Sequence, residues 1–430
     1  MRRGVVVTAL VSAASVVALP VAATAGVTWS TSFSPAPRSG YEVDGFAARS
    51  AVDVWAVGLR PGGRCQYQTL TQHWDGSTWT VVPSPSNTAV NSVLDGVTAA
   101  GMKQAWAVGT VGCPADQSRT LTEHWTGSRW SIVVSPNGGV TGNRFSTLQA
   151  VTAISPSDVW AVGAQAGVRN GAPVTVPLIE RWNGTNWSIT PVPQAAVGVL
   201  ESVSATSASD VWAVGAGQQS GQSTVALHFD GSSWKLVTVP TPVGTSGGLF
   251  AVKALSPTDA WAVGESFPNA GGSGTILTDR WNGTRWQVVA APPVGGPGAL
   301  SALSSVDAAP RTGVWAVGFW VTAAAGNSVV LHWTGTAWTQ ETPPSASNLF
   351  RVAVLPNNEL FASDLGTIFL GQFSGRVTNP RPGQRRRMLH LRALPTSGSA
   401  EFNACLCRRQ VNRVAFDQRV VGGRGVLYVR

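Results

Sequence analysis

Charged residues are scarce in this 430-residue sequence. They make up 12% of the chain, which is about half of the share that is usual in globular domains. Lysine occurs only as Lys103, Lys235 and Lys253, and the charged runs that favour helices are absent. Tryptophan, by contrast, occurs 19 times, so the chain has enough apolar surface to bury and disorder over most of its length is excluded. This composition favours one large repeat domain.

Recognisable catalytic patterns are also missing. Three tyrosines, Tyr41, Tyr67 and Tyr428, are too few for a sialidase-type site. The paired Tyr and His with Cys that a copper oxidase of the galactose-oxidase kind needs are lacking. No Ser-His-Asp order, HExxH motif or phosphate-binding loop occurs. We therefore expect no catalytic residues, no metal site and no cofactor.

The only long apolar run is at the N-terminus. Residues 5–23 are apolar, Arg2 and Arg3 precede them, and Ala23-Thr24-Ala25 fits a small-x-small cleavage site. We predict that residues 1–25 are a secretory signal peptide, the alternative being an uncleaved anchor helix. The expected product is secreted, extracellular or attached to the cell wall, with no membrane span after cleavage.

The net charge of +9 arises from the C-terminal segment. Beyond Gly375, twelve arginines stand against Glu401 and Asp417, whereas residues 27–375 hold 16 basic and 19 acidic side chains. A near-neutral repeat region does not predict a nucleic-acid partner. Residues 376–430 share no repeat feature. They are either a basic arm for an anionic cell-surface polymer or the product of a shifted reading frame, and we expect them to be disordered in both cases.

One six-residue string, Asp158-Val159-Trp160-Ala161-Val162-Gly163, recurs intact or nearly so along the sequence. Its tryptophan stands at Trp55, Trp106, Trp160, Trp212, Trp261 and Trp315, at intervals of 49 to 54 residues. Each copy is followed by a second signature such as Trp74-Asp75-Gly76-Ser77-Thr78-Trp79. A period of about 50 residues, built from short apolar runs and Gly/Pro turns, is typical of a β-propeller with four strands in each blade.

The third repeat shows the expected strands. The inner strand is predicted at 148–154, the second at 159–164, the third at 177–182 and the outer at 187–192. Asn183-Gly184 lies between the third and outer strands and predicts a two-residue type I′ turn. Such a turn needs positive φ at both central residues, and Asn-Gly is strongly preferred there.

The two ends of the repeat region complete each other. Trp29 and its neighbours resemble an outer strand with no blade before it. The seventh repeat has three predicted strands, at 349–356, 359–364 and 367–373, and lacks an outer strand. Phe361 and Phe373 stand at its first two tryptophan positions. We therefore predict an all-β fold: a monomeric seven-bladed β-propeller over residues 26–375, closed by the N-terminal strand, which removes an exposed sheet edge.

Most candidate site residues have a structural explanation. Seventeen tryptophans recur at fixed strand positions and are expected to fill the core between blades. The histidines that precede the third-strand aromatic residue alternate with Arg181 and Arg280, which excludes metal binding. The Asp of the first signature is expected to accept backbone N–H groups in a turn. Trp320 lies outside every repeat position, at the start of a predicted loop, and is a candidate ligand contact.

Three further features bear on function. Lys253 and Asp307 lie near inner strands and are candidate ligand contacts in the central channel. Cys65 and Cys113 lie in equivalent loops of adjacent repeats, and an exported protein permits a disulfide between them; two free thiols are the alternative. The long, variable connections, between second and third strands and between outer and next inner strands, are expected to open on one face.

The two signatures together resemble the repeats of secreted actinobacterial β-propeller proteins, which are similar to kelch-like and galactose-oxidase-like propellers. The resemblance covers residues 27–375 and implies export and binding. We therefore expect a non-catalytic binding or scaffold module whose long-loop face contacts a glycan or a protein. The alternative is a carbohydrate-active enzyme, of glycoside hydrolase or lyase type, with a site at the central channel.

Overall fold

The computed structural model describes residues 26–32, 40–62, 67–86, 90–112, 118–139, 145–217, 224–309, 313–357 and 359–373. These residues form strands and turns, and no helix long and apolar enough to cross a membrane occurs among them. The strands form seven four-stranded antiparallel sheets, so the predicted all-β, seven-bladed propeller is confirmed.

Each of blades 1 to 6 contains four strands that are consecutive in sequence. Blade 1 holds β2 to β5, and each following blade takes the next four strands, up to β22 to β25 in blade 6. The strands are β1 Val27–Ser32, β2 Glu42–Ser50, β3 Asp53–Pro61, β4 Tyr67–Trp74, β5 Trp79–Val81, β6 Ser92–Gly101, β7 Gln104–Val111, β8 Arg119–Trp125, β9 Trp130–Ile132, β10 Ser146–Ser155, β11 Asp158–Arg169, β12 Ala172–Trp182, β13 Trp187–Ile189, β14 Val199–Ser207, β15 Asp210–Ala216, β16 Thr224–Phe229, β17 Trp234–Leu236, β18 Thr245–Ser256, β19 Asp259–Pro268, β20 Thr275–Trp281, β21 Trp286–Val288, β22 Leu300–Ala309, β23 Gly313–Val321, β24 Gly326–Trp333, β25 Trp338–Glu341, β26 Arg351–Val354, β27 Leu360–Ser363 and β28 Ile368–Phe373.

The seventh sheet, the closing blade, joins the two ends of the repeat region. Its strand order is β1-β28-β27-β26, and β1 pairs antiparallel with β28 from Val27–Phe373 to Ser32–Ile368. The Trp29 indole N–H donates to the carbonyl of Thr342 at 2.9 Å. The N-terminal strand therefore supplies the missing outer strand, as the sequence predicts.

The register corrects one detail of the seventh repeat. Gly371 pairs with both Leu360 and Trp29, as Trp182 pairs with Val159 and Trp187 in blade 3. Gly371, and not Phe373, therefore occupies the third-strand tryptophan position. A Cβ on Gly371 would lie 2.8 Å from the Trp29 ring, so the outer-strand indole fills the space that a tryptophan takes in blade 3.

The second-strand tryptophans pack between adjacent blades. Trp160 of blade 3 is fully buried, with its ring centroid 4.8 Å from that of Phe229 and 5.3 Å from that of Trp234, both in blade 4. Phe361 makes the same contacts across the seam, 5.4 Å from Trp74 and 5.1 Å from Trp79. These rings fill the wedge between sheets, which confirms their predicted core role.

The turn between inner and second strands is fixed by serine, and the prediction for the aspartate is wrong. Ser155 Oγ accepts the N–H of Ser157 at 3.2 Å, and Ser50, Ser207 and Ser256 form the same contact. The aspartate instead binds the third strand. Asp53 accepts from His73 Nε2 at 2.8 Å, and Asp158 accepts two bonds from Arg181 at 2.8 and 2.9 Å. The predicted scaffold role of His and Arg is confirmed.

The predicted type I′ turn between third and outer strands is also wrong. The pair Trp182–Trp187 encloses four residues, in which only Gly184 has positive φ, +98°. Asn183 Oδ1 accepts the N–H groups of Thr185 and Asn186 at 2.9 and 3.0 Å. The side-chain cap and a single glycine therefore define this turn.

A two-residue turn occurs where the sequence predicted a loop. Strands β11 and β12 pair without interruption to Arg169–Ala172, so 164–176 forms a projecting hairpin. Its tip, Asn170-Gly171, has φ of +50° and +77°, as a type I′ turn requires.

Candidate binding face

The long connections lie at one end of the propeller. Because the strands in each blade alternate in direction, connections from second to third strands and from outer to next inner strands share an end. We call this end the long-loop face and the opposite end, which holds the tight turns, the short-turn face. Function on rigid scaffolds concentrates on variable loops.

The inner strands form the wall of the central channel. Each contacts the next around the ring, and β26 contacts β2 to complete it. All six inner strands of blades 1 to 6 contain a register shift near their long-loop ends, in blade 1 between Val43 and Gly45. A bulge leaves one extra residue and redirects its side chain.

The extra residues, together with Phe350 at the corresponding place in the closing blade, form what we call the channel-mouth ring: Asp44, Asp95, Gln149, Glu201, Phe250, Ser304 and Phe350. Asp44 is buried, and the other six side chains are half-exposed. The carboxylates come from blades 1, 2 and 4, and the aromatic rings from blades 5 and 7. The ring thus has an acidic side and an aromatic side.

Further aromatic residues lie next to the aromatic side of the channel-mouth ring. Phe319 on β23 is half-exposed, and its ring centroid lies 6.4 Å from that of Phe350. Trp320 follows it, also half-exposed. Sequence reasoning identified Trp320 alone and missed the rest, because bulges do not follow from a period-2 pattern.

Trp320 lies in a strand and not in a loop. It pairs with Ser301 and Asn327 and packs beside the core between blades 5 and 6. An added Cβ on Gly295 would lie 2.8 Å from its ring. One part of the indole therefore rests on the glycine backbone, and the half-exposed remainder is open to a ligand.

Lys253 and Asp307 are brought together on the channel wall. Lys253 Nζ on β18 lies 2.6 Å from Asp307 Oδ1 on β22, and Asp307 Oδ2 accepts the N–H of Val354 at 2.8 Å. The negative charge of Asp307 raises the pKa of Lys253, against the opposing effect of burial. The pair therefore links three consecutive blades.

Side-chain hydroxyl groups link the inner strands of other adjacent blades in the same way, by accepting a backbone N–H. The N–H of Ala153 donates to Thr98 Oγ1 at 3.2 Å, and the N–H of Ala254 donates to Ser204 Oγ at 3.0 Å. In each case the acceptor belongs to the preceding blade. Inner strands are sheet edges, so their free N–H groups need such partners.

Three predictions concern residues outside the described ranges. Cys65 and Cys113 lie outside the described residues, as do the predicted signal peptide 1–25 and the segment 376–430. Within the described ranges, no group of three or more His, Cys, Asp or Glu side chains is placed to hold a metal ion.

Comparison with known proteins shows likeness in fold. No protein-family model matches the chain, and no curated protein matches it in sequence. Among solved structures, it is similar to YCF48 bound to D1 peptide (15% identity, TM-score 0.52, 85% of this chain and 100% of that chain covered). It is similar to YCF48 from Cyanidioschyzon merolae (16%, 0.50, 80% and 98%). The WD40 beta propeller domain of Doa1 also matches (10%, 0.48, 81% and 97%).

Proposed function

We propose that this protein is an exported, non-catalytic binding propeller that takes a peptide segment of a protein partner on its long-loop face. The observation that carries the proposal is the channel-mouth ring, which sets carboxylates on one side and aromatic rings on the other. Such a surface suits a segment in which Lys or Arg stands beside an apolar residue, through charge attraction and aromatic contact.

The fold supports binding of this type. A propeller of similar architecture has been solved bound to a peptide, and rigid rings with variable loops are common platforms for partners. A glycan is the other occupant that the sequence suggests, and Trp320 would then serve as a stacking surface. Export, cleavage after Ala25 and a monomeric state belong to this proposal, as does the likeness to secreted actinobacterial propellers.

Peptide-library selection on the intact protein tests the proposal. We expect peptides in which Lys or Arg stands beside an apolar residue to be enriched over acidic peptides. The double charge reversal Asp95→Lys/Glu201→Lys should weaken their binding about tenfold or more, since each carboxylate attracts the basic side chain.

Asp75→Lys is the matched control, because Asp75 is an exposed acid on the short-turn face and its reversal should leave binding unchanged. Equal losses in both variants, or binding on a glycan array with no peptide enriched from the library, would overturn the peptide assignment.

A further inference from the structure

One buried third-strand position changes chemical character between blades. It lies two residues before the third-strand aromatic residue and is fully buried in blades 1 to 6. Blades 4 and 6 place Leu227 and Leu331 there, as expected for a core position. Blades 2, 3 and 5 place carboxylic acids there: Glu123, Glu180 and Asp279.

These three carboxyl groups have apolar surroundings. Glu123 pairs across the sheet with Ala107 and Ile132, and Asp279 pairs with Ala262 and Val288. None of their oxygens has a hydrogen-bond partner within the described part of the chain. The hydroxyl groups of Ser84 and Ser135, which follow the outer strands of blades 1 and 2, lie beside Glu123 and Glu180. They donate instead to Thr69 Oγ1 and Thr120 Oγ1, at 2.7 and 2.8 Å. Glu123 and Glu180 therefore face the preceding blade.

Among the residues that the structure describes, no compensating cation reaches the three acids. None of the ion pairs among the described residues includes Glu123, Glu180 or Asp279. The charged and titratable residues on the strands packed around the three acids are Tyr67, His73, Asp95, Arg119, His124, Asp158, Arg169, Arg181, Glu201, His228, Lys235, Lys253, Asp259, Glu265, Arg280 and Asp307. Arg181 and Arg280, the nearest in sequence, bind Asp158 and Asp259 instead.

An ionised carboxylate without a cation or a full set of hydrogen bonds is costly in such a site. We propose that protonated Glu123, Glu180 and Asp279 keep the blade interfaces closed, and that the ring loosens as these groups lose their protons. This change in the stability of the ring requires no ligand.

Burial raises the pKa of each of the three groups to about 8, from ordinary values of 4.5 for Glu and 3.8 for Asp. The folded protein therefore binds more protons than the unfolded chain across this range. Their contribution to stability is full below about pH 4, falls as pH rises and is lost above about pH 8. Glu265 on β19, with its pKa also raised to about 8 by burial, adds to the same trend.

Thermal unfolding at pH 5 and pH 9 tests the proposal. We expect the midpoint of the wild-type protein to fall by roughly 10 °C or more across this interval. Glu123→Gln/Glu180→Gln/Asp279→Asn carries neutral groups of nearly equal shape and should lose less than half as much, the remainder coming from Glu265. Equal falls in both proteins would overturn the proposal.

Asp75→Asn is the control, because the pKa of Asp75 is lowered to about 2 by hydrogen bonds from Thr78 and Ser77, which places its titration below the tested interval. If the triple variant does not fold, Glu180→Leu introduces the residue that blades 4 and 6 already carry. Amide hydrogen exchange in β12 of the wild type should then accelerate with pH by more than the intrinsic exchange rate does. In Glu180→Leu, the exchange rate of β12 should rise only as much as the intrinsic rate. A rise in the variant that still exceeds the intrinsic rate contradicts the proposal.

Discussion

Gly96 lies at a close approach of the inner strands of blades 2 and 3. A Cβ there would lie 2.9 Å from Ala150 Cα and 3.1 Å from the Gln149 carbonyl oxygen, both backbone atoms. At Gly45 the corresponding closest distance is 3.2 Å, to Gly96 Cα. We expect Gly96→Ala to destabilise the fold by about 2 kcal/mol through overpacking, and Gly45→Ala by less. Urea unfolding of both variants measures the difference, and equal stability of Gly96→Ala and wild type would contradict it.

His124 lacks the partner that its counterparts in blades 1 and 4 have. His73 and His228 each bind an aspartate at 2.8 Å, whereas His124 Nε2 is buried without a partner in the described chain and burial lowers its pKa. Gln104 stands where those blades have Asp.

Gln104→Asp should therefore stabilise the protein by about 1 kcal/mol and raise the pKa of His124. Denaturation and an NMR titration of the His124 ring measure the two effects. Gln104→Asn, which adds no charge, is the control, and an unshifted His124 pKa in Gln104→Asp would show that no bond forms.

The role of a residue could be predicted from the sequence where its position in the repeat is sufficient to determine that role. Periodic spacing placed the tryptophans correctly, because only a large apolar group fills the same wedge in every blade. It did not show that Asp158 reaches Arg181 on the third strand, since that contact depends on register and not on sequence distance. The alternation of His and Arg opposite a recurring Asp was the available signal.

At the scale of elements, β1 holds the closing blade together. It covers the free edge of β28, and Ser32 Oγ accepts the indole N–H of Trp79 in blade 1 at 3.0 Å. Deleting residues 26–32 should cost roughly 5 kcal/mol, about one for each lost backbone bond, and lower the melting midpoint by about 10 °C or more.

Differential scanning calorimetry measures this loss, with a chain beginning at Gly26 as the reference. A synthetic peptide with the sequence of residues 26–32 should restore part of the midpoint when added to the truncated protein. An unchanged midpoint after deletion would show that the six-residue strand is dispensable.

The projecting β11–β12 hairpin should be dispensable for folding. The part of the hairpin between the paired residues Ala166 and Thr175 includes Val168, which is 51% exposed. Replacing 167–174 by Asn-Gly keeps the register and a favourable turn, so the melting midpoint should stay within about 2 °C. Calorimetry checks this, and a larger fall would assign the hairpin a stabilising role. Asn170-Gly171 was the available signal for this turn in the sequence.

At the scale of the whole molecule, blade number and closure followed from periodicity, because each repeat can bury its faces only against its neighbours. The channel-mouth ring did not follow. It depends on six bulges, each an extra residue on one strand, and the alternating pattern of a strand contains no unambiguous mark for them. Lys253 and Asp307 lie on two inner strands, and their ion pair could not be predicted because it depends on the register of two blades.

The pairing of β1 with β28 also determines how the protein responds to force. Val27 and Phe373 are direct partners, so tension applied at these two points loads the first pair of backbone bonds alone, and the strands separate one pair at a time. A ring that resists heat through all seven blades would thus open at low pulling force, beginning at the seam.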